Sequence, residues 1–213
     1  MDIGSVIYTC AEILAIVVFA LSGAMTGIKY GLDMFGVVFL GGVTALGGGV
    51  TRDIMLGSFP PLMFRDYKYL ITAVISSLAV FAAAYFFKDK YNEAKHEVDR
   101  INNIFDAAGL GLFTVVGTQT AIDAGFFDNA FFCIFLGVTT GVGGGILRDI
   151  IIQSTPMILK KHIYAIASLV GAVMFYTLCY FGVEYITSLF TSSCIVFVIR
   201  MLATKYKWNF PKA

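Results

Sequence analysis

The chain has 213 residues, 58% of them hydrophobic and 14% charged, with 15 Lys and Arg against 14 Asp and Glu. A soluble domain carries roughly 45–50% apolar and about 25% charged residues, so a soluble class is excluded. A net charge of +1 leaves no basic footprint for nucleic acid.

The apolar excess falls in runs of about 20 residues, the length of helix that crosses a bilayer. The N-terminal stretch MDIGSVIY lacks a basic segment and its apolar run is long enough to span, so no cleavable signal is expected. Seven membrane helices are predicted in chain order. The first covers 6–28, the second 34–57 and the third 69–87. A charged cytoplasmic linker, KDKYNEAKHEVDR, follows over 88–100. The fourth helix covers 101–122, the fifth 129–153, the sixth 163–181 and the seventh 183–204. The basic, aromatic tail 205–213 suits a membrane-surface anchor.

The second and fifth helices carry related motifs, ALGGGVTRDIMLGSFPP from Ala45 and GVGGGILRDIIIQSTPM from Gly141. Leu40-Gly41, Thr44, Arg52-Asp53 and Pro60 recur as Leu136-Gly137, Thr140, Arg148-Asp149 and Pro156. Upstream the offset changes by two residues: Glu12, Phe19, Gly23, Thr26 and Gly31 recur as Asp106, Phe113, Gly117, Thr120 and Gly125. Residues 6–87 therefore form one three-helix repeat and 101–182 a second, with 183–204 outside both. Three crossings per repeat place the second copy upside down in the membrane. One set of loops holds Lys29, Lys88, Lys90, Lys95, Arg100, Lys160, Lys161, Lys205, Lys207 and Lys212, the other only Arg65 and Lys68. The positive-inside rule puts the N-terminus outside and the C-terminus in the cytoplasm.

Single glycines in membrane helices commonly serve close packing. Three in a row, Gly47–Gly49 and again Gly143–Gly145, each cost about 1 kcal/mol of helix propensity, and invite the helix to kink or unwind. Unwound backbone at membrane depth is tolerated beside protein or a wet cavity, where it can meet an ion; a packing kink is the alternative. Arg52, Asp53, Arg148 and Asp149 are too costly to face lipid. Neighbours on a helix point apart, so the expected pairs run across the repeat, Arg52 with Asp149 and Arg148 with Asp53; each charge meeting water near a helix end is the alternative. Glu12 and Asp106 stand as mouth carboxylates of a pathway or as interfacial acids. Ser22, Thr26, Thr44, Thr120, Thr139 and Thr140 offer hydroxyls to a wet path, or bond back to their own helices.

Cys10, Cys133, Cys179 and Cys194 lie in apolar runs without CxxC spacing, and His96 and His162 lie far apart in charged loops. They read as small hydrophobes and loop residues rather than a zinc site. No nucleophile elbow, Walker lysine, Cys-His arrangement or HExxH occurs, so an enzyme is not expected.

With GGGVTRD and GGGILRD preceded by FALSG and FTVVG, the chain resembles the prokaryotic trimeric intracellular cation (TRIC) channels. The same family is also labelled a glycine-transporter-domain (UPF0126-type) membrane protein. The resemblance runs from about Ile7 to Tyr180 and includes a lone seventh helix. It implies an all-α fold, a homotrimer with one ion path per protomer, and second and fifth helices kinked at the glycines. It also implies that the first, second, fourth and fifth helices surround a path for monovalent cations, mainly potassium. Transient K+ or Na+ near Gly47 and Gly143, with no fixed metal and no resident cofactor, and bound membrane lipid complete the expectation. The animal phosphoinositide motif carries a lysine near the second glycine segment; here ILRD offers only Arg148. The potassium-channel TVGYG filter is absent, so selectivity would rest on hydroxyls, carbonyls and the field of Arg52 and Arg148, either of which could also act as a tethered plug. The rival expectation is a secondary transporter for glycine or another small zwitterion. It would seat a carboxylate near Gly49 or Gly145 and an ammonium near Asp53 or Asp149. A non-conducting scaffold, its glycines only packing helices, is the third class.

Overall fold

A computed structural model describes residues 3–160 and 163–208. Lys161, His162 and the tail beyond 208, with Lys212, lie outside the described residues. Among the described residues every regular element is a helix. The first repeat contains α1 (Ile3–Lys29), α2 (Met34–Met55), the short α3 (Leu62–Arg65) and α4 (Tyr67–Phe86). A short α5 (Lys88–Glu93) leads to α6 (Lys95–Ala121), which runs into a π-helical turn, Ile122–Phe126. Then come α7 (Ala130–Ile151), the short α8 (Met157–Lys160), α9 (Ile163–Tyr180) and α10 (Tyr185–Lys205).

Six of these helices, α1, α2, α4, α7, α9 and α10, are long and apolar enough to cross a membrane. The α6 helix is as long but begins with KHEVDRINN, so its composition is more polar. The predicted linker is thus largely helix, because a charged stretch without Pro or Gly can extend α6 beyond the apolar layer.

Local signals set the helix ends. Gly31 and Gly125, at equivalent turns, adopt φ of 73° and 89°, a region where a side chain would be strained. The next helices then start on matching caps. Asp33 Oδ1 accepts from the Gly36 N–H at 2.7 Å, and Asn129 Oδ1 accepts from the Phe132 N–H at 3.0 Å. Each cap satisfies an orphan donor of the first turn.

The interior is built from α1, α2, α6 and α7, with α4, α9 and α10 packed around them. Phe19 on α1 meets Phe113 on α6 with ring centroids 5.4 Å apart. These two residues are counterparts, so the contact lies on the axis relating the repeats. Reciprocal bonds carry the same symmetry. The Tyr8 and Thr120 hydroxyls lie 2.8 Å apart, and Asn102 Nδ2 donates to Thr26 Oγ1 at 3.1 Å. Asn102 and Thr120 are each 94 residues beyond Tyr8 and Thr26, so the two bonds are one contact made twice, as a two-fold requires.

The glycine triplets do not unwind. Both α2 and α7 run as uninterrupted α-helix through Gly47–Gly49 and Gly143–Gly145, so the expected unwinding does not occur there. The glycines allow a close crossing instead. A Cβ on Gly48 would strike the carbonyl oxygen of Thr140, and one on Gly144 would strike that of Thr44. The carbonyls of the triplets stay in the helical ladder because packing offsets the propensity cost of glycine.

Candidate functional site

In the last turn of α2, Arg52 faces Glu12 on α1. Its Nη1 donates to Glu12 Oε1 at 3.0 Å and its Nε to Asp53 Oδ1 at 2.9 Å. Glu12 also accepts from the Tyr69 hydroxyl at 2.9 Å and from the Tyr8 hydroxyl at 3.3 Å. The other oxygen of Asp53 accepts from the Leu62 N–H at 2.7 Å, where α3 begins. All three charged residues are at most 5% exposed.

The second repeat builds the counterpart. Arg148 Nη1 donates to Asp106 Oδ1 and Nε to Asp149 Oδ1, both at 2.9 Å. Asp149 Oδ2 accepts from the Met157 N–H at 2.8 Å, at the start of α8. Arg148 also reaches Ser22 Oγ at 3.2 Å.

The expected cross-repeat pairs are therefore corrected. Arg52 does not pair with Asp149, nor Arg148 with Asp53; each arginine binds its own neighbour and a carboxylate from the first helix of its own repeat. Adjacent residues leave a helix about 100° apart, yet the arginine side chain is long enough to lay Nε beside the next carboxylate. The rest of its fork then serves a second acid. Glu12 and Ser22 mark the two clusters along α1 and lie about 15 Å apart at 1.5 Å per residue, too far for charges to meet across the repeat.

Glu12 and Asp106 are buried ion-pair partners rather than headgroup acids. The threonines take the local option: the Thr26, Thr44, Thr120, Thr139 and Thr140 hydroxyls donate to the carbonyls of Ser22, Leu40, Val116, Phe135 and Leu136.

Four further side chains complete the clusters. Tyr8 and Tyr69 bind Glu12. Tyr164 stands 95 residues after Tyr69, the same interval that separates Leu62 from Met157, so the repeat marks it as a counterpart. Arg200 on α10 is 1% exposed, with Nη2 3.7 Å from Asp106 Oδ2 and 3.4 Å from Asn103 Oδ1. Its guanidinium lies 4.6 Å from the Tyr164 ring centroid. Arg200 stands in the middle of an apolar run, and an ionisable residue there was itself a sequence signal.

Two cavities adjoin the clusters. One of about 30 Å³ touches Glu12, Gly49, Arg52, Asp53, Tyr69 and Phe113. The other, of about 320 Å³, touches Ser22, Thr26, Asn102, Asp106, Arg148 and Asp149. They share no lining residue; along α1, Phe19 lies between the Glu12 and Ser22 ends. The arrangement therefore has two cavities, each beside a buried charged cluster and the smaller walled mostly by apolar side chains, flanking a tightly packed middle.

The model of a family described as "Glycine transporter" matches residues 9–85 and 103–180, one match per repeat. A UPF0126 membrane protein of Deinococcus radiodurans is 39% identical over 173 residues, covering 78% of this chain and 76% of that protein. The UPF0126 inner membrane protein YadS of Escherichia coli is 32% identical over 201 residues, 94% of this chain and 93% of its own length. Among solved structures, a prokaryotic TRIC channel crystallised in 0.5 M KCl superimposes with a TM-score of 0.86 at 32% identity, covering 97% of this chain and all of that one. A TRIC trimeric intracellular cation channel orthologue from Rhodobacter sphaeroides gives 0.82 at 30% identity, covering 95% of this chain and 99% of its own.

Proposed function

Because this chain belongs to the glycine transporter (UPF0126) family of membrane proteins, and shares its fold with TRIC channels, we propose that it is a monovalent cation channel. In this reading potassium passes through each protomer of a homotrimer, along a path bounded by α1, α2, α6 and α7. The observation that carries it is the full-length superposition on a TRIC channel, with a TM-score of 0.86. The two buried charged clusters, each beside a cavity at opposite ends of the α1–α6 contact, support the same reading. In it α6 is the seventh span, and the repeats are inverted in the membrane of a prokaryotic cell, with the N-terminus outside and the C-terminus in the cytoplasm. Cations dwell transiently near the glycine crossing with no fixed metal or cofactor, and lipid fills the outer grooves. Ser22, Arg52 and Arg148 stand beside the path and take part in gating.

A second reading is favoured by the larger cavity. Its walls carry both Arg148 and the carboxylates Asp106 and Asp149, charges that suit the two ends of a small zwitterion such as glycine. Reconstitution into planar bilayers under a potassium gradient separates the two. Discrete potassium-carrying steps support the channel. Saturable glycine uptake without steps refutes it in favour of the transporter, and neither activity leaves a scaffold.

A further inference from the structure

We propose that Arg200 makes the two ends of the pathway electrically unequal and thereby sets the direction in which cations pass more readily. The inference rests on the channel reading above. At the Glu12 end, the buried cluster has two carboxylates, Glu12 and Asp53, against one guanidinium, Arg52. Its formal charge is −1. At the Asp106 end, Asp106 and Asp149 face two guanidiniums, Arg148 and Arg200. Its formal charge is zero.

The difference comes from α10, a long apolar helix outside both repeats. α10 has no partner in the first half, so nothing related by the two-fold supplies a second arginine to Glu12. The neighbouring side chains have adjusted to it. Tyr69 donates its hydroxyl to Glu12. Its counterpart Tyr164 makes no such bond among the described residues and offers its ring face to Arg200 instead. The acid facing Arg200 is an aspartate, one methylene shorter than the glutamate it matches. Its Oδ2 and Arg200 Nε have no hydrogen-bond partner among the described residues. Arg200 thus acts on the pathway through Asp106, as a fixed counter-charge behind it.

Other charges at the two ends do not undo the imbalance. Lys29 and Asp99, both at the rim of the larger cavity, pair at 2.7 Å. At the opposite end Lys68 pairs with Asp66 at 2.7 Å, while Arg65 is exposed and bonded to Ser58 and the Phe59 carbonyl. Solvent screens such surface charges far more than the buried ones. A cation therefore meets net attraction at the Glu12 end and a neutral chamber at the Asp106 end.

Single-channel recording in symmetric KCl reads this as rectification, taken channel by channel so that insertion direction does not average it away. The native protein should rectify. Arg200→Gln leaves −1 at both ends, so the ratio should fall toward one while current from the Asp106 end rises roughly threefold or more. Arg200→Lys keeps the charge and should keep the native ratio. Asp106→Asn leaves +1 at that end and should deepen the rectification, which tests the sign without touching Arg200. Glu12→Gln should also bring the ratio toward one, but by lowering the current. The proposal is overturned if Arg200→Gln assembles and conducts with an unchanged ratio, if Arg200→Lys behaves like Arg200→Gln, or if Asp106→Asn and Arg200→Gln move the ratio in the same direction. Absence of any native conductance would instead remove the channel reading, and this inference with it.

Discussion

Replacing Gly48 with alanine tests what the triplets do. The added Cβ would strike the Thr140 carbonyl oxygen, which is backbone and cannot rotate away. Contact between non-bonded atoms is favourable only near 3.5–4.0 Å, so α2 and α7 would have to part by about 1 Å. Overpacking of this kind costs about 1–3 kcal/mol, and striking backbone places it at the upper end. The better helix propensity of alanine returns about 1 kcal/mol, which leaves Gly48→Ala destabilised by about 2 kcal/mol. Gly144→Ala should match it, since its Cβ meets the Thr44 carbonyl oxygen in the reciprocal contact. Gly49→Ala is the control. Its Cβ would meet only Arg52 Nη2 at 3.9 Å, an ordinary contact, so it should be neutral or stabilising by up to about 1 kcal/mol. At about 2–4 °C per kcal/mol for a chain of this size, thermal unfolding in detergent should place Gly48→Ala roughly 4–8 °C below the native protein and Gly49→Ala at or above it. A hinge that works by opening its backbone predicts similar damage at every glycine of the triplet. Equal losses in Gly48→Ala and Gly49→Ala would therefore refute the packing argument.

Tyr69→Phe removes a hydroxyl that donates to Glu12 and should cost about 1.5–3 kcal/mol, as for a hydrogen bond to a charged group. Tyr164→Phe removes one without a partner among the described residues and should cost much less; equal losses by thermal unfolding would contradict the difference between the clusters. Arg52→Ala leaves Glu12 and Asp53 buried together and should cost about 3–5 kcal/mol. The charge exchange Arg52→Asp with Asp149→Arg should recover none of that loss, and recovery in a two-variant stability comparison would restore pairing across the repeat. Asp33→Ala and Asn129→Ala each remove one cap and should cost about 1 kcal/mol, visible as faster hydrogen exchange in the first turn of α2 or α7 alone.

Much of this architecture is legible in the chain itself. The apolar runs fix the class and most of the long helices, because length and hydropathy decide what a bilayer accepts. The repeat is written residue by residue, from Glu12 and Asp106 to Pro60 and Pro156, and it singles out the charged residues of both clusters without saying which of them meet. Caps such as Asp33 and Asn129 are local, so they too can be read in one dimension. The short helices α3 and α8 escape such reading, since a single turn has no periodicity and they are held by aspartates nine and eight residues upstream.

What tertiary structure alone decided is which groups meet. Sequence says that buried arginines need acids, but not which of several acids at similar depth will come within reach. Symmetry suggested pairing between repeats; helix length forbids it, and Glu12 and Asp106 lie nearer. The triplets carry the same lesson. Local propensity predicts an opened backbone, yet the missing side chains of Gly48 and Gly144 are also what lets two helices touch, and the helical backbone is kept through both triplets. Arg200 shows the limit most plainly. It belongs to no repeat, and only the placement of α10 against α6 gives the Asp106 cluster a second positive charge that its twin lacks.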